Sequence, residues 1–335
     1  MKPSRWFYLS GVLLLVCQTS FSAPGSLQST SKETAGYLVV HGWPSLPEGY
    51  ILGEVSGVAV DSHNRVFVFH RGSRMYSAEP NLPLIAESTI LCFDGPTGQK
   101  IGAFGENQFV VPHGLRIDRD DNLWLTDVGL HQVFKLSHDG KLLMTLGTAR
   151  TPGQDGTHFN KPTDVAVGTD GTIYVSDGYG NNRVARFSPD GKFLGQWGSN
   201  KGDRPGEFNL PHSISIDAEG RVYVADRENR RVQVLDRDGK FLSAWKSDEL
   251  GKPFAVTIGP DGFAYVVDGS DQKPAPPDHG GVLRLDLTGK VLDRWSRHGN
   301  YDGQIYVGHD LAVGKDGAVY VGDIRGRRVQ KFVKE

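Results

Sequence analysis

Apolar and polar residues alternate in short runs along most of this chain, and the runs recur in sets. The sets open VSGVAVD at Val55, PHGLRID at Pro112, PTDVAVG at Pro162, PHSISID at Pro211, PFAVTIG at Pro253 and GHDLAVG at Gly308. Each continues through a turn into a second run, as in DGTIYVSD, EGRVYVAD and DGAVYVGD. A third follows (RVARF, RVQVL, RVQKF), then a DGK turn into KFLGQWG or KFLSAWK. Alternation with period two marks half-buried strands, and no helical periodicity competes with it. Four short strands repeated every ~40–55 residues predict one propeller blade per set, hence an all-β, six-bladed β-propeller.

The sixth set ends at Phe332-Val333-Lys334-Glu335, one strand short, while an unassigned apolar run, Tyr37-Leu38-Val39-Val40, precedes the first. An open ring would leave two unpaired sheet edges, so the N-terminal run is expected to complete the last blade and close the ring. Residues 36–335 then form one propeller domain. The 43 glycines follow from the several tight turns each blade needs.

The start of the chain reads differently. Lys2 and Arg5 precede an apolar run from Trp6 to Val16, and Ser20-Phe21-Ser22 offers small residues for cleavage, which predicts a signal peptide over 1–22 and a secreted or periplasmic protein. The run is short for a membrane span. Lipidation at Cys17 ranks second, because Val16 is bulkier than the residue such a site prefers. A small, polar, flexible leader is expected over 23–35. Cys92 is then the one remaining cysteine, a core residue and not half of a disulfide. With 37 basic against 39 acidic residues, a net charge of −2, and no basic run interleaved with aromatics, nucleic acid is not expected as a partner. A pocket for a small molecule or peptide is expected instead, on a monomer.

Candidate chemistry emerges when the sets are aligned. Their second position reads Ser56, His113, Thr163, His212, Phe254, His309. In a six-bladed ring alternate copies lie about a third of a turn apart, so His113, His212 and His309 are expected to converge on the axis. Three neutral imidazoles suit Zn²⁺ with a fourth position open to substrate, although iron or cobalt would accept the same ligands. The position just after each second strand reads Arg71, Val128, Gly178, Arg227, Gly269, Ile324. It puts Arg71 and Arg227 on opposite sides of the ring as a candidate clamp for a carboxylate. Tyr179, in SDGYGNNR, follows the same strand in the blade before the one carrying Arg227. A cation beside a phenol favours the phenolate, the form a general base needs.

The segments SGVAVD, FHRG, VPHGLRID, TDVGLHQVFKL, HFNKPTDVAV, VSDGYGNNR, FSPDGKF, RPGEFNLPHS and VADRENRRVQ resemble peptidyl-α-hydroxyglycine α-amidating lyase, within the wider NHL-repeat propellers. The likeness runs from about Val55 to Phe332. It implies a catalytic zinc on His113, His212 and His309. It also implies a structural calcium on the backbone carbonyls of Val58 and Leu115 and the Asp310 carboxylate, oxygen ligands of the kind Ca²⁺ requires. Tyr179 is implied as the catalytic base, with Arg71 and Arg227 as active-site arginines. Three departures are visible: Val307 and Gly308 replace a methionine and proline before the last histidine, Gly180 stands where animal members carry a disulfide cysteine, and no monooxygenase domain precedes the lyase region.

The resemblance implies cleavage of an N-acyl- or peptidyl-α-hydroxyglycine to an amide and glyoxylate. Arg227 is assigned to the phenolate of Tyr179 and Arg71 to the substrate carboxylate, roles the two could exchange. A related carbinolamine such as ureidoglycolate, a non-catalytic NHL-repeat binding protein, and a propeller hydrolase of the lactonase kind are the alternatives. The last kind of site is usually rich in carboxylates, whereas the repeated position here supplies histidines.

Overall fold

A computed structural model describes residues 1, 36–77, 79, 81–269 and 279–335. The segments expected to form a signal peptide and leader, with Cys17, lie outside the described residues apart from Met1. Among the described residues, the strands form six antiparallel four-stranded sheets. Five are built from four strands consecutive in the chain. The sixth runs in the order Tyr37–Val39, Arg328–Lys334, Val319–Asp323, Gly308–Val313, so its outer strand comes from the N-terminal side of the chain.

That strand pairs Tyr37 with Lys334, Leu38 with Val333 and Val39 with Phe332, and Val40 adds an N–H···O bond to Lys331 at 2.8 Å. Tyr37 also stacks on Trp295 at 4.0 Å between ring centroids, which ties the closing strand to the preceding blade. Each innermost strand packs on the next and the sixth packs on the first. The expected six-bladed ring is therefore closed. No helix among the described residues is long and apolar enough to cross a membrane.

The innermost strands, Val55–Val60, Pro112–Ile117, Asp164–Val167, Pro211–Ile216, Pro253–Ile258 and Gly308–Val313, set the functional geometry. The fourth positions of the repeated sets (Val58, Leu115, Val165, Ile214, Val256, Leu311) are fully buried in the seams between blades. Cys92 lies in one such seam with Phe67, Phe69, Leu115 and Leu125, and burial pushes its thiol up to about 12. In five of the six blades the ladder to the second strand slips at the second position, skipping Ser56, His113, His212, Phe254 and His309. A bulge of this kind re-aims a side chain without ending the strand. It lets two successive residues, such as His309 and Asp310, both face the axis.

Close approach of the inner strands also restricts the third position. A Cβ on Gly57 would lie 2.7 Å from Leu115 Cβ, and one on Gly114 would lie 2.6 Å from the Thr163 carbonyl oxygen. Neither backbone can yield without opening the ring at that seam.

Candidate metal centre and active site

The bulged second positions bring His113, His212 and His309 together at the axis, with ring centroids 4.6 to 4.9 Å apart. Their ligand-bearing nitrogens all lie within 4.8 Å of one another. Each ring is oriented through its Nδ1. Nδ1 of His113 meets the Thr163 carbonyl at 2.6 Å, Nδ1 of His212 the Phe254 carbonyl at 2.6 Å, and Nδ1 of His309 the Ser56 carbonyl at 2.7 Å. A carbonyl oxygen only accepts, so each Nδ1 carries the proton and each Nε2 keeps its lone pair. The three carbonyls belong to the second positions of the intervening blades. One blade supplies the imidazole and the next supplies the oxygen that orients it, which accounts for histidine in every second copy.

Burial keeps these rings neutral. It pushes His309 down to about 3, with the Arg71 guanidinium adding to the effect, and lowers His113 and His212 well below the usual range, with His309 opposing a second charge. The Nε2 atoms of His113 and His309 are buried without a hydrogen-bond partner, and that of His212 accepts from the Tyr179 hydroxyl at 3.2 Å. Buried acceptors left unpaired are costly, and three convergent imidazole lone pairs are the donor set that Zn²⁺ or a neighbouring first-row ion takes. The residues therefore fit such an ion.

A cleft opens beside His309, lined by the expected Arg71, Tyr179 and Arg227 and also by Tyr76, Phe254 and Arg325. Tyr179 meets His113 edge-on at 4.9 Å between centroids, and the Arg227 guanidinium carbon lies 6.0 Å from the Tyr179 ring and 4.3 Å from that of Phe254. Arg227 also pairs with Glu228, at 3.0 Å. Gly180 follows the tyrosine because a Cβ there would overlap the Asn160 side chain, 2.1 Å from its Cγ. At the departure before His309, Val307 lines the cleft, and a Cβ on Gly308 would sit 2.3 Å from Val267.

The open two-arginine clamp expected from Arg71 and Arg227 needs correction. Arg71 is 1% exposed, and it donates from Nη1 to Glu54 Oε2 at 2.6 Å and from Nε to the Pro112 carbonyl at 3.0 Å. Glu54, also buried, further accepts from the Tyr76 N–H at 2.8 Å and from Arg325 Nη1 at 2.9 Å. Arg71 is thus a fixed internal cation at the cleft wall, while Arg325, with 48% of its side chain exposed, stands at the mouth. The sequence alone did not point to Glu54, Tyr76, Phe254 and Arg325 as cleft residues. Extending the Tyr179 position around the ring would have found Arg325, which follows its own second strand at the same offset.

The oxygens assigned to calcium are arranged otherwise than the resemblance implies. Asp310 accepts the Val58 N–H at 2.9 Å, so Val58 meets this carboxylate as a donor. The Arg116 guanidinium lies against the other two groups. Its Nη1 donates to the Leu115 carbonyl at 2.8 Å and to both oxygens of Asp310 at 2.9 Å. The residues therefore do not fit an added dication at that point while Arg116 holds this position.

Fold and site together define an NHL-repeat propeller built around a three-histidine centre. The NHL repeat model matches residues 159–187 and 208–235. Over 87% of its length the chain is 41% identical to peptidyl-glycine alpha-amidating monooxygenase B of Xenopus laevis, of which it spans 35%. It is 32% identical to the probable peptidyl-alpha-hydroxyglycine alpha-amidating lyase pgal-1 of Caenorhabditis elegans, covering 83% of this chain and 82% of that one. Among solved structures, a streptogramin B lyase superposes with a TM-score of 0.59 over 90% of this chain and 98% of its own, at 15% identity, a likeness of fold alone. The chain belongs to the peptidyl-α-hydroxyglycine α-amidating lyase family, a family of enzymes.

Proposed function

We propose that the protein cleaves the N–C bond of an N-acyl- or peptidyl-α-hydroxyglycine, releasing an amide and glyoxylate, in a zinc-dependent lyase reaction. The observation that carries this reading is the Tyr179 hydroxyl 3.2 Å from the nitrogen of a histidine whose lone pair is aimed at the axis. A base and a three-histidine centre are thus within reach of one small group. Zn²⁺ on the Nε2 atoms of His113, His212 and His309 would supply Lewis acidity toward the substrate hydroxyl.

The chain's own groups account for the rest. As phenolate, Tyr179 takes the hydroxyl proton of R–CO–NH–CH(OH)–COO⁻. The C–N bond breaks as the C=O bond of glyoxylate forms, and a proton passes to the departing amide nitrogen, so no water is consumed. Arg227, whose guanidinium carbon lies 6.0 Å from the Tyr179 ring, brings a positive charge to the side of the residue that takes the proton. Arg71 and Arg325 share the single carboxylate of Glu54, which leaves that trio with one unbalanced positive charge at the cleft. The substrate carboxylate is received there, with Phe254 and Tyr76 shielding the site from water.

The test is glyoxylate release from a panel of N-acyl-α-hydroxyglycines by purified protein, with the amide measured in parallel. Equal yields of amide and glyoxylate support the reading. Absence of turnover across the panel by zinc-loaded protein contradicts it.

A further inference from the structure

One layer along the axis from the histidines, a single long side chain spans the ring. The fifth positions of the repeated sets read Ala59, Arg116, Ala166, Ser215, Thr257 and Ala312, so one long cation stands among five small residues. The guanidinium at this level reaches across the axis. Nη1 takes Asp310 of blade 6 and the Leu115 carbonyl of blade 2, while Nη2 donates to Asp164 of blade 3 at 2.6 Å and to Ser213 of blade 4 at 3.1 Å. The carboxylates extend the network. Asp310 accepts the Val58 N–H of blade 1 and Asp164 the Ile214 N–H of blade 4 at 3.1 Å, and the Ser213 hydroxyl accepts the Val256 N–H of blade 5 at 3.2 Å. All six inner strands are therefore joined through one side chain and its immediate partners.

We propose that Arg116 is a built-in substitute for a structural calcium, and that this propeller neither binds nor needs Ca²⁺ on its axis. Geometry carries the inference. The Leu115 carbonyl and the Asp310 carboxylate, two of the three groups implied as calcium ligands, already face Nη1 of a planar fork whose Nη2 takes a second carboxylate, Asp164. The Asp310 and Asp164 side chains are only 5% and 3% exposed, so without a cation between them they would be two uncompensated buried charges. A guanidinium satisfies that requirement covalently, and unlike a bound ion it cannot be lost by dilution or chelation. The inference does not depend on the proposed reaction, because its readouts are metal content and thermal stability.

The experiment uses the full chain stripped of metal, reloaded with zinc alone and titrated with Ca²⁺, following bound calcium by elemental analysis and Tm by calorimetry. Wild-type protein is expected to retain no stoichiometric calcium and to keep its Tm within about 1 °C across the titration. Arg116→Ser, which opens the layer and uncovers both carboxylates, is expected to take up calcium at about one per chain and to gain several degrees of Tm from it. Folding of that variant only when calcium is present would support the proposal equally. If the variant folds in neither condition, the wild-type titration decides. One tightly held calcium per wild-type chain whose removal lowers Tm would overturn the proposal, as would a stable Arg116→Ser protein indifferent to calcium.

Discussion

Two adjacent layers of the same axial channel solve the same problem in opposite ways. In the histidine layer three side chains from alternate blades converge with their lone pairs turned inward, and two of those Nε2 atoms have no partner. In the layer beneath, two aspartates converge and a guanidinium of the chain itself lies between them. The first layer presents a donor set that fits a cation and the second already contains one. An inward-facing donor set in a propeller is thus not by itself a metal site. What separates the two layers is whether a neighbouring slot carries a side chain long and charged enough to fill the space.

Substitutions probe each layer separately, and those in the upper layer act on chemistry. Tyr179→Phe keeps the ring against His113 and removes the hydroxyl. It is expected to lower kcat by about 10²–10⁴ while zinc content and Tm stay at wild-type values. An unchanged kcat would place the base elsewhere.

In the lower layer the effect is on the fold. Arg116→Ser leaves two buried carboxylates facing each other and, without calcium, is expected to cost about 3–5 kcal/mol by chemical denaturation. A variant as stable as wild type in calcium-free buffer would mean that the layer needs no cation.

Gly114→Ala connects the layers. The added Cβ would press on the Thr163 carbonyl, the oxygen that orients His113. About 1–3 kcal/mol of stability should be lost, together with zinc affinity, since the imidazole loses its fixed tautomer and direction. A stability loss with unchanged zinc affinity would show that the orienting bond is dispensable.

The last effect is set by pH. His70 occupies the position filled in other blades by a buried aspartate, and its Nδ1 accepts the Gly53 and Gly72 N–H groups at 3.3 and 3.1 Å. Burial pushes it down to about 4. A histidine depressed in the folded state binds its proton more readily when unfolded. Its contribution is therefore intact above the ordinary value of ~6.5 and is lost as pH falls from there toward 4, at up to ~1.4 kcal/mol per pH unit. Metal-free protein should accordingly lose stability over that window, with the buried His113, His212 and His309 acting in the same direction, and His70→Asn should reduce the slope measured by denaturation at several pH values. An identical slope in the variant would show that His70 does not set the pH dependence.

Much of this was legible in the chain because the repeats print it six times over. Period-two alternation and DG turns give the blades, the missing sixth-blade strand gives the closure by Tyr37–Val39, and alignment of the sets gives the three histidines. What was not legible lies between blades. The carbonyls of Thr163, Phe254 and Ser56 leave no mark in a one-letter code, because backbone oxygens are common to every residue. The bulge that aims both His309 and Asp310 inward depends on the pairing register. Arg71 looked like an open clamp because its partner, Glu54, precedes it by a whole hairpin. Arg116 is the odd residue among Ala59, Ala166, Ser215, Thr257 and Ala312, a contrast that reading the sequence alone did not single out. Its meaning needed Asp164 and Asp310, contributed by two other blades.

If the histidine layer holds the ion on which the chemistry depends, paired measurements on wild type and His212→Ala must separate sharply. Zinc content, glyoxylate release and Tm are determined on the same preparations. Wild type should carry about one zinc per chain and release glyoxylate with matching amide. His212→Ala should carry no stoichiometric zinc and show no turnover, yet unfold as a closed propeller, since strand pairing and the Arg116 network remain in place. A His212→Ala protein with full zinc occupancy and wild-type turnover would contradict a metal-dependent histidine layer, as would wild-type turnover after complete removal of metal.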